Sequence, residues 1–212
     1  MMAEDIRAEK KALRREMLSR RRAVSPEQRT HAGGIITAQV LPELKQAGTV
    51  MLYASMPEEI DLFPLMEKLI SAGKRIALPE ITGRGTMEAR ELAAMDALID
   101  GAFDIPTPDP ARGAQIPPEE IDVVIVPGAA FDADGGRLGL GGGYYDRFLP
   151  RAVHAERLVL AFDFQIVPAV PMAAWDARVD RILTERRSMD CRNGRVKEGE
   201  RLLRQHSLLK LV

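Results

Sequence analysis

A chain of 212 residues with 46% hydrophobic and 29% charged residues has the size and composition of one globular domain. Its formal net charge of −1 gives no overall attraction to nucleic acid or to a membrane surface, and its single cysteine, Cys191, excludes an internal disulfide and a cysteine-rich metal site. No apolar segment reaches the roughly 20 residues of a membrane helix, and the charged N-terminus lacks the apolar core of a signal peptide. We therefore expect a cytoplasmic monomer without nucleic-acid or membrane partners.

The first predicted element is a basic helix. Residues 4–22 are rich in helix-forming residues, and Leu13 and Met17 share one face at helical spacing. The many lysines and arginines between Lys10 and Arg22 predict a solvated charged face. An RNA-binding arm is the alternative, but the segment has none of the aromatic side chains that stack on bases.

Helical and strand patterns then alternate along the chain. Ser25 and Pro26, with a glutamine three residues after the serine, predict a second helix that runs to about Gln46 and bends or divides at Pro42. A shorter helix is expected after it, with Asp61 as its cap. The predicted strands cover residues 49–54, 74–79, 86–92, 121–126, 157–162 and 179–184. Extended loops are expected in the proline-rich segments 105–110 and 115–118.

This alternation predicts a three-layer α/β/α sandwich with a mostly parallel sheet, because strands that are apolar throughout are buried on both faces. Ligands of such sheets bind beyond the carboxyl ends of the strands. We expect a single domain over residues 1–185 and a C-terminal extension, 186–212, of unknown role. From Gly199 onwards the extension has apolar residues at helical spacing, which predict a short docking helix or a frayed tail.

The most informative segment is a glycine loop, residues 137–147 (Arg-Leu-Gly-Leu-Gly-Gly-Gly-Tyr-Tyr-Asp-Arg). It follows a buried strand and leads into a short predicted helix, a geometry that binds phosphate because glycines let backbone N–H groups approach the oxygens. Arg137 and Arg147 can neutralise phosphate charge, and Asp146 can hold a hard cation such as Mg²⁺. The segment lacks the Lys and Ser/Thr of a P-loop and is one residue short of the dinucleotide fingerprint. A mobile surface loop with glycines at turn positions is the alternative.

Together with Val126-Pro-Gly-Ala-Ala-Phe-Asp132, the glycine loop resembles the signature of the 5-formyltetrahydrofolate cyclo-ligase (5,10-methenyltetrahydrofolate synthetase) family. The order of the other segments agrees from about Lys10 to Glu185. The resemblance implies an ATP- and Mg²⁺-dependent closure of 5-formyltetrahydrofolate to 5,10-methenyltetrahydrofolate, with release of ADP and phosphate. It implies that the formyl oxygen is phosphorylated before the second folate nitrogen attacks. It also implies a topology similar to the ribose-5-phosphate isomerase and glucosamine-phosphate isomerase group.

The same resemblance implies a set of site residues. Its ATP-binding residues are Lys10, Lys11, Arg14, Arg137, Leu138, Gly139, Leu140, Gly141, Gly142, Gly143, Tyr144 and Tyr145. Its folate-binding residues are Arg14, Ala54, Glu59, Leu140, Gly141, Gly142, Gly143 and Tyr144, where the Glu59 carboxylate suits the amide and amino donors of the pterin. Its catalytic residues are Arg137, Tyr144 and Tyr145. Mg²⁺ is assigned to Asp146 and Asp176, with Asp180 as an alternative for the second carboxylate.

The chain departs from the family at two places. Trp175, the only tryptophan, stands where many members have histidine, and Leu140 and Gly142 stand where some members carry a lysine or arginine. Because the loop has no cation at those two positions, we expect basic residues outside it to balance more of the phosphate charge.

Two other functions are open. A non-catalytic sensor would bind a phosphorylated ligand with the same loop and arginines, but it would not need Asp146 and Asp176 together. A sugar-phosphate isomerase would need a general base near a sugar carbon, and no acid or histidine in the sequence is better explained that way. His31 and His154 are interpreted as surface residues, and Asp132 as an ordinary turn residue rather than a metal ligand.

Overall fold

The computed structural model describes residues 3–198. The α-helices in this range are α1 (Ala3–Arg22), α2 (Pro26–Leu44), α3 (Phe63–Ser71) and α4 (Tyr144–Phe148). The helix or tail predicted from Gly199 onwards lies outside the described residues. No helix within residues 3–198 is both long and apolar enough to cross a membrane.

The strands form one large mixed sheet and two short hairpin ladders. The strands, in chain order, are β1 (Thr49–Met51), β2 (Arg75–Gly83), β3 (Thr86–Glu91), β4 (Leu98–Ile99), β5 (Thr107–Pro108), β6 (Gln115–Ile116), β7 (Val123–Ile125), β8 (Ala130–Phe131), β9 (Arg137–Leu138), β10 (Glu156–Leu160), β11 (Arg181–Leu183), β12 (Arg187–Asp190) and β13 (Arg195–Glu198). The large sheet has the order β13-β12-β11-β10-β7-β1-β2-β3-β6. Its five central strands, β11 to β2, are parallel, whereas the two strands at each edge are antiparallel. The prediction of an α/β fold is confirmed, and its parallel pairing holds for the centre of the sheet.

The central strands are buried on both faces because alternate residues enter two different hydrophobic cores. Val50 and Ile125 face the core that α2 and α3 cover. Their neighbours Met51 and Val124 face the core that contains Phe148 of α4. Side chains that alternate across a strand therefore explain why these segments are apolar throughout.

Helix α1 lies against the short β8–β9 hairpin rather than against the large sheet. Its buried Met17 packs with Ala129, Ala130, Leu138 and Val170 in a third core. Since Leu138 is the last residue of β9, this packing places α1 beside the start of the glycine loop.

Local sequence signals account for the start of α2. Ser25 is the N-cap: its Oγ accepts a hydrogen bond from the Gln28 N–H at 3.2 Å, and Gln28 Oε1 accepts one from the Ser25 N–H at 3.0 Å. The predicted capping box is thus confirmed. Helix α2 continues through Pro42 to Leu44 without a division.

Three local predictions were wrong in detail. Asp61 is not the N-cap of α3; Leu62 holds that position, and Asp61 Oδ1 accepts a hydrogen bond from the Phe63 N–H at 3.0 Å. Residues 105–110 and 115–118 are not simply loops, because Thr107 and Pro108 form β5, and Gln115 and Ile116 form β6 at the edge of the sheet. The first strand ends at Met51, three residues before the predicted end.

The sheet continues past the domain boundary expected at residue 185. Strand β12 pairs antiparallel with β11, and β13 pairs antiparallel with β12. The first part of the expected extension therefore supplies two edge strands of the main sheet.

Candidate functional site

Helix α1 carries a line of cations along one side of the site. Lys10, Arg14 and Arg21 lie on the face that also contains Met17, because they recur at helical spacing. Lys10 pairs with Asp176, and Arg14 Nε donates to the Gly139 carbonyl at 2.9 Å. Arg21 lies about 16 Å further along the helix axis than Lys10, at 1.5 Å per residue. One helix thus contacts the metal candidate Asp176, the glycine loop and the carboxylates near Tyr53.

The glycine loop presents its N–H groups and has two of its carbonyls held by arginines. Gly139 O accepts from Arg14, and Gly142 O accepts from Arg147 Nη2 at 2.6 Å. Among the described residues, no hydrogen bond uses an N–H group of residues 139–143 as its donor. Arg147 also donates from Nε to the Gly85 carbonyl at 2.5 Å, which ties the loop to the β2–β3 turn. A loop with free amides and fixed carbonyls is suited to bind an anion.

The two carboxylates assigned to Mg²⁺ belong to segments that touch each other, and each is paired with a cation. Asp146 accepts from the buried Arg137 Nη2 at 2.5 Å and from the Ala177 N–H at 3.1 Å, so it contacts the residue next to Asp176. Asp176 accepts from Lys10 and from the Ala173 N–H. Residues 3–198 contain no cluster of three or more metal-ligating side chains. The chain by itself therefore offers a two-carboxylate site, which is the kind that Mg²⁺ completes with phosphate oxygens and water.

Asp180, the alternative to Asp176, is engaged elsewhere. Its carboxylate accepts from the Arg157 N–H at 2.8 Å and so joins the start of β11 to β10. The carboxylate of Asp132 has a similar structural task, because it accepts from the N–H groups of Gly136 at 2.7 Å and Val170 at 2.7 Å. The interpretation of Asp132 as a turn residue is confirmed.

The two tyrosines of the loop lie in different surroundings. Tyr144 lies under the Arg147 guanidinium, whose Cζ is 5.9 Å from the ring centre. Tyr145 lies under Arg137, at 6.0 Å, and its hydroxyl is buried without a hydrogen-bond partner among the described residues. Burial, and then the charge of Glu59, raise the pKa of Tyr145 above its ordinary value. This phenol therefore stays protonated and can donate a hydrogen bond.

Glu59 lies at the other end of the site in a buried ion pair. Its Oε1 accepts from Arg21 Nη1 at 3.0 Å, and its Oε2 accepts from the Met56 N–H at 2.9 Å. Arg21 also reaches Glu58 at 3.3 Å. Burial raises the pKa of Glu59 although the charge of Arg21 opposes that shift.

A small pocket opens beside this ion pair. It lies where β1, β7 and β10 end, since Tyr53, Gly128 and Leu160 line it at the carboxyl ends of these strands. The full lining is Arg21, Tyr53, Glu59, Ile60, Gly128, Phe131, Leu160 and Gln165. Ala129, the residue after Gly128, donates its N–H to the Leu138 carbonyl at 2.7 Å, so the chain beside the pocket is bonded to the glycine loop.

The structure does not bring every expected residue to the site surface. Lys11 is exposed, one residue beyond Lys10 on α1. Ala54 and Leu138 are buried within hydrophobic cores. Leu140 extends from the loop and is 47% exposed.

Sequence reasoning missed three residues of the pocket. The prediction of a solvated position is wrong for Arg21, whose side chain is only 2% exposed because it pairs with Glu59 in the interior. Tyr53 and Gln165 were also not singled out, although Tyr53 follows β1 on the side of the sheet where ligands bind. The helical spacing of Arg21 from Lys10 and Arg14 indicates that the three share one face of α1, but it does not indicate that Arg21 is buried.

The chain is similar to known proteins over most of its length. The model of the 5-formyltetrahydrofolate cyclo-ligase family matches residues 6–185. The 5-formyltetrahydrofolate cyclo-ligase of Escherichia coli (strain K12) is 33% identical over 171 residues, 78% of this chain and 94% of that protein. The one from Mus musculus is 27% identical over 198 residues, 87% of this chain and 98% of that protein. The NMR structure of Aquifex aeolicus 5,10-methenyltetrahydrofolate synthetase has a TM-score of 0.79 and 35% identity, covering 90% of this chain and 97% of that chain.

Proposed function

The chain belongs to the 5-formyltetrahydrofolate cyclo-ligase family, and from that premise we propose how its glycine loop and α1 close 5-formyltetrahydrofolate to 5,10-methenyltetrahydrofolate with ATP. The reaction releases ADP and phosphate and forms a C–N bond. The observation that carries the assignment is the loop at residues 139–143, whose N–H groups donate no hydrogen bond among the described residues while arginines hold two of its carbonyls.

The phosphates of ATP bind in this loop. Its amides surround the phosphate oxygens, and Lys10 and Arg14 from α1 approach from the side. Arg137 is buried behind the loop and adds a positive charge that the low polarity around it strengthens. Lys11, which is exposed, contributes only through its charge at longer range.

Asp146 and Asp176 hold Mg²⁺ in this proposal. The hydrogen bond from the Ala177 N–H to Asp146, and the lack of a third protein ligand among the described residues, fit an ion that takes its other ligands from phosphate and water. When bound, the ion supplies charge neutralisation for the phosphates. Lys10 and Arg137 then leave the carboxylates free and turn to phosphate oxygens.

The pterin binds in the pocket beside Glu59. That carboxylate presents acceptors to the amide and amino donors of the ring, and the ring of Phe131 lines the same pocket. Arg14, Tyr144 and the loop residues Leu140 to Gly143 lie on the side from which the formyl group meets the phosphate. Ala54 supports the pocket from the core behind it.

The reaction needs correctly positioned substrates and groups that balance the phosphate charge. It needs no covalent intermediate with the protein. The formyl oxygen attacks the γ-phosphorus, and ADP leaves. The second folate nitrogen then attacks the activated carbon, loses its proton, and phosphate departs as the ring closes. Arg137 and the loop amides balance the charge that moves onto the phosphate oxygens. Tyr145 donates a hydrogen bond to the substrates, because its raised pKa keeps the phenol protonated. Tyr144 closes over the substrates.

Several wider expectations belong to the same proposal. We propose a three-layer α/β/α sandwich similar to the ribose-5-phosphate isomerase and glucosamine-phosphate isomerase group, and a domain that includes β12 and β13. We also propose a cytoplasmic monomer whose partners are the two small-molecule substrates, without nucleic acid or membrane.

The assay that tests this function follows the methenyl chromophore in the near ultraviolet. The purified protein is mixed with 5-formyltetrahydrofolate, ATP and Mg²⁺, and each component is omitted in turn. We expect absorbance only with all three, and a loss of about a hundredfold or more in Asp146→Asn and Asp176→Asn.

Asp134→Asn is the matched control, because Asp134 is an exposed aspartate of the β8–β9 turn outside the site. It should keep wild-type activity. A folded protein that binds ATP but yields no chromophore would contradict the proposal and favour the sensor function.

A further inference from the structure

We propose that Arg21 is a positioning residue for the folate: it keeps the Glu59 carboxylate ionised and oriented so that both of its oxygens accept hydrogen bonds at the pocket. This inference rests on the proposed role of Glu59 in pterin binding and deepens it. Neither the glycine loop nor the metal carboxylates are involved.

Two hydrogen bonds hold the Glu59 carboxylate in place. Arg21 Nη1 holds Glu59 Oε1 at 3.0 Å, and the Met56 N–H holds Oε2 at 2.9 Å, so the two oxygens are fixed from different sides. Both side chains are buried, yet both line the pocket. A carboxylate oxygen accepts more than one hydrogen bond, so each oxygen keeps capacity for a ligand donor.

The charge of Arg21 also favours the ionised form of Glu59. The charged and titratable groups that face Glu59 are Arg21 from α1, Glu58 from its own loop, Tyr53 after β1 and Tyr145 from α4. Arg21 is the only cation in this set. Burial raises the pKa of Glu59 and the Glu58 charge adds to that shift, whereas Arg21 lowers it. Without Arg21, Glu59 would therefore take up a proton at a higher pH.

A neutral Glu59 would bind the pterin poorly. A protonated carboxyl has fewer acceptor sites and offers a donor. The amide and amino groups of the pterin ring are also donors. The O–H of a protonated Glu59 would therefore face a ring N–H, and neither group could accept the other's hydrogen bond. Buried ion pairs are weak evidence for stability, since apolar residues of similar volume often replace them without loss. The ion pair of Arg21 and Glu59 is better explained by the negative charge that it maintains on Glu59 at the pocket than by a contribution to stability.

The test compares Arg21→Met and Arg21→Lys with Arg22→Met, a matched change at the exposed neighbour on the same helix. Folate KM, ATP KM and kcat are measured at several pH values. In Arg21→Met we expect folate KM to rise about tenfold or more at about pH 7, with ATP KM changed by less than about twofold. Arg21→Lys keeps the positive charge and should recover most of the folate affinity. Arg22→Met should behave as the wild type.

The pH profile separates charge from structure. Because Glu59 binds folate as the carboxylate, folate KM in Arg21→Met should fall again as the pH rises through the raised pKa of Glu59. The wild-type folate KM should stay flat over the same range, since Arg21 keeps Glu59 ionised there. A raised folate KM that does not respond to pH would show a purely structural role and overturn the inference.

Glu59→Gln separates this inference from the proposed function. If Glu59→Gln leaves folate KM unchanged, the proposed pterin subsite is wrong. If it raises folate KM but Arg21→Met does not, only the role of Arg21 is wrong. Should Arg21→Met fail to fold, the double variant Arg21→Met/Glu59→Gln buries no unpaired charge at this site. A folate KM equal to that of Glu59→Gln alone supports the inference, and one about tenfold higher overturns it.

Discussion

Gly141 and Gly143 have φ angles of +109° and +66°, in the region that side-chain-bearing residues rarely adopt. These two glycines set the path of the loop, in which arginines hold two carbonyls while no N–H group of residues 139–143 donates a hydrogen bond among the described residues. The requirement is conformational, because a Cβ at Gly141 would make only ordinary contacts, the nearest at 3.8 Å from Arg14. The sequence of the loop therefore encodes backbone shape more than side-chain chemistry.

Gly141→Ala should weaken ATP binding. The alanine would hold the left-handed conformation only at a cost of about 1–3 kcal/mol, or the loop would change shape and lose amide contacts. We expect ATP KM to rise about tenfold or more, with a smaller change in the melting temperature. Steady-state kinetics at saturating folate provide the measurement.

Gly34→Ala is the control for that experiment. Gly34 lies on the exposed side of α2, has an ordinary φ and leaves open space for a Cβ. Its ATP KM should match the wild type. An unchanged ATP KM in Gly141→Ala would mean that the loop conformation does not matter for nucleotide binding.

At the scale of elements, α2 contributes to stability through its N-terminal cap and its packing, and it supplies no residue of the proposed site. Its N-terminus is fixed by the reciprocal hydrogen bonds of Ser25 and Gln28. Its inner face packs Ile36, Val40 and Leu44 in the core shared with α3. None of these residues contacts the glycine loop or the pocket, so changes in α2 test folding energy alone.

Two single changes in α2 should shift stability in opposite directions. Ser25→Ala removes the capping oxygen and should lower the free energy of unfolding by about 1 kcal/mol. Gly34→Ala reduces the entropy of the unfolded chain at a helical position, so it should raise the free energy of unfolding by about 0.5–1 kcal/mol. Denaturant unfolding curves provide the measurement, and both variants should keep wild-type kcat. A lower stability for Gly34→Ala would contradict the described position of this glycine.

Unlike α2, helix α1 supplies residues of the candidate site from its inner face. Lys10 contacts Asp176, Arg14 contacts the loop and Arg21 contacts Glu59. Because one rigid helix carries all three cations, the proposed nucleotide end and the proposed folate end of the site keep a fixed separation of about 16 Å along α1.

At the scale of the whole molecule, Trp175 offers a direct report on nucleotide binding. It is the only tryptophan, it is 73% exposed, and it precedes Asp176 in a turn that the Asp176 carboxylate closes on the Ala173 N–H. When Mg²⁺ and ATP bind, Lys10 should leave Asp176 for phosphate, and the surroundings of the indole should change.

We expect a saturable change in tryptophan emission on titration with ATP and Mg²⁺ together, at concentrations near the ATP KM. Trp175→Phe should lose the signal and keep catalysis within about threefold, because the indole contacts no reacting group in the proposed site. Emission that stays constant while the protein turns over would contradict the expected exchange of partners at Asp176.

The elements with short-range signals were predictable from the sequence. The capping box spans four residues, the glycine loop eleven, and each apolar strand only a few, so the local pattern contains the cause of the local structure. The order of β11, β10, β7, β1 and β2 required the tertiary structure. The antiparallel edges did too, since edge strands as short as β6 carry too few residues for a clear alternating pattern.

The candidate site also has features that the sequence predicts and features that only the tertiary structure decides. The sequence by itself determined the path of the glycine loop, because the need for φ above zero selects glycine in one continuous stretch. Only the tertiary structure decided that Arg21 meets Glu59, 38 residues away, and that Lys10 meets Asp176, 166 residues away. An isolated arginine on a basic helix has the same local pattern whether it is solvated or buried. Its state depends on whether folding brings a carboxylate to it, because a buried charge is stable only beside a partner of opposite sign.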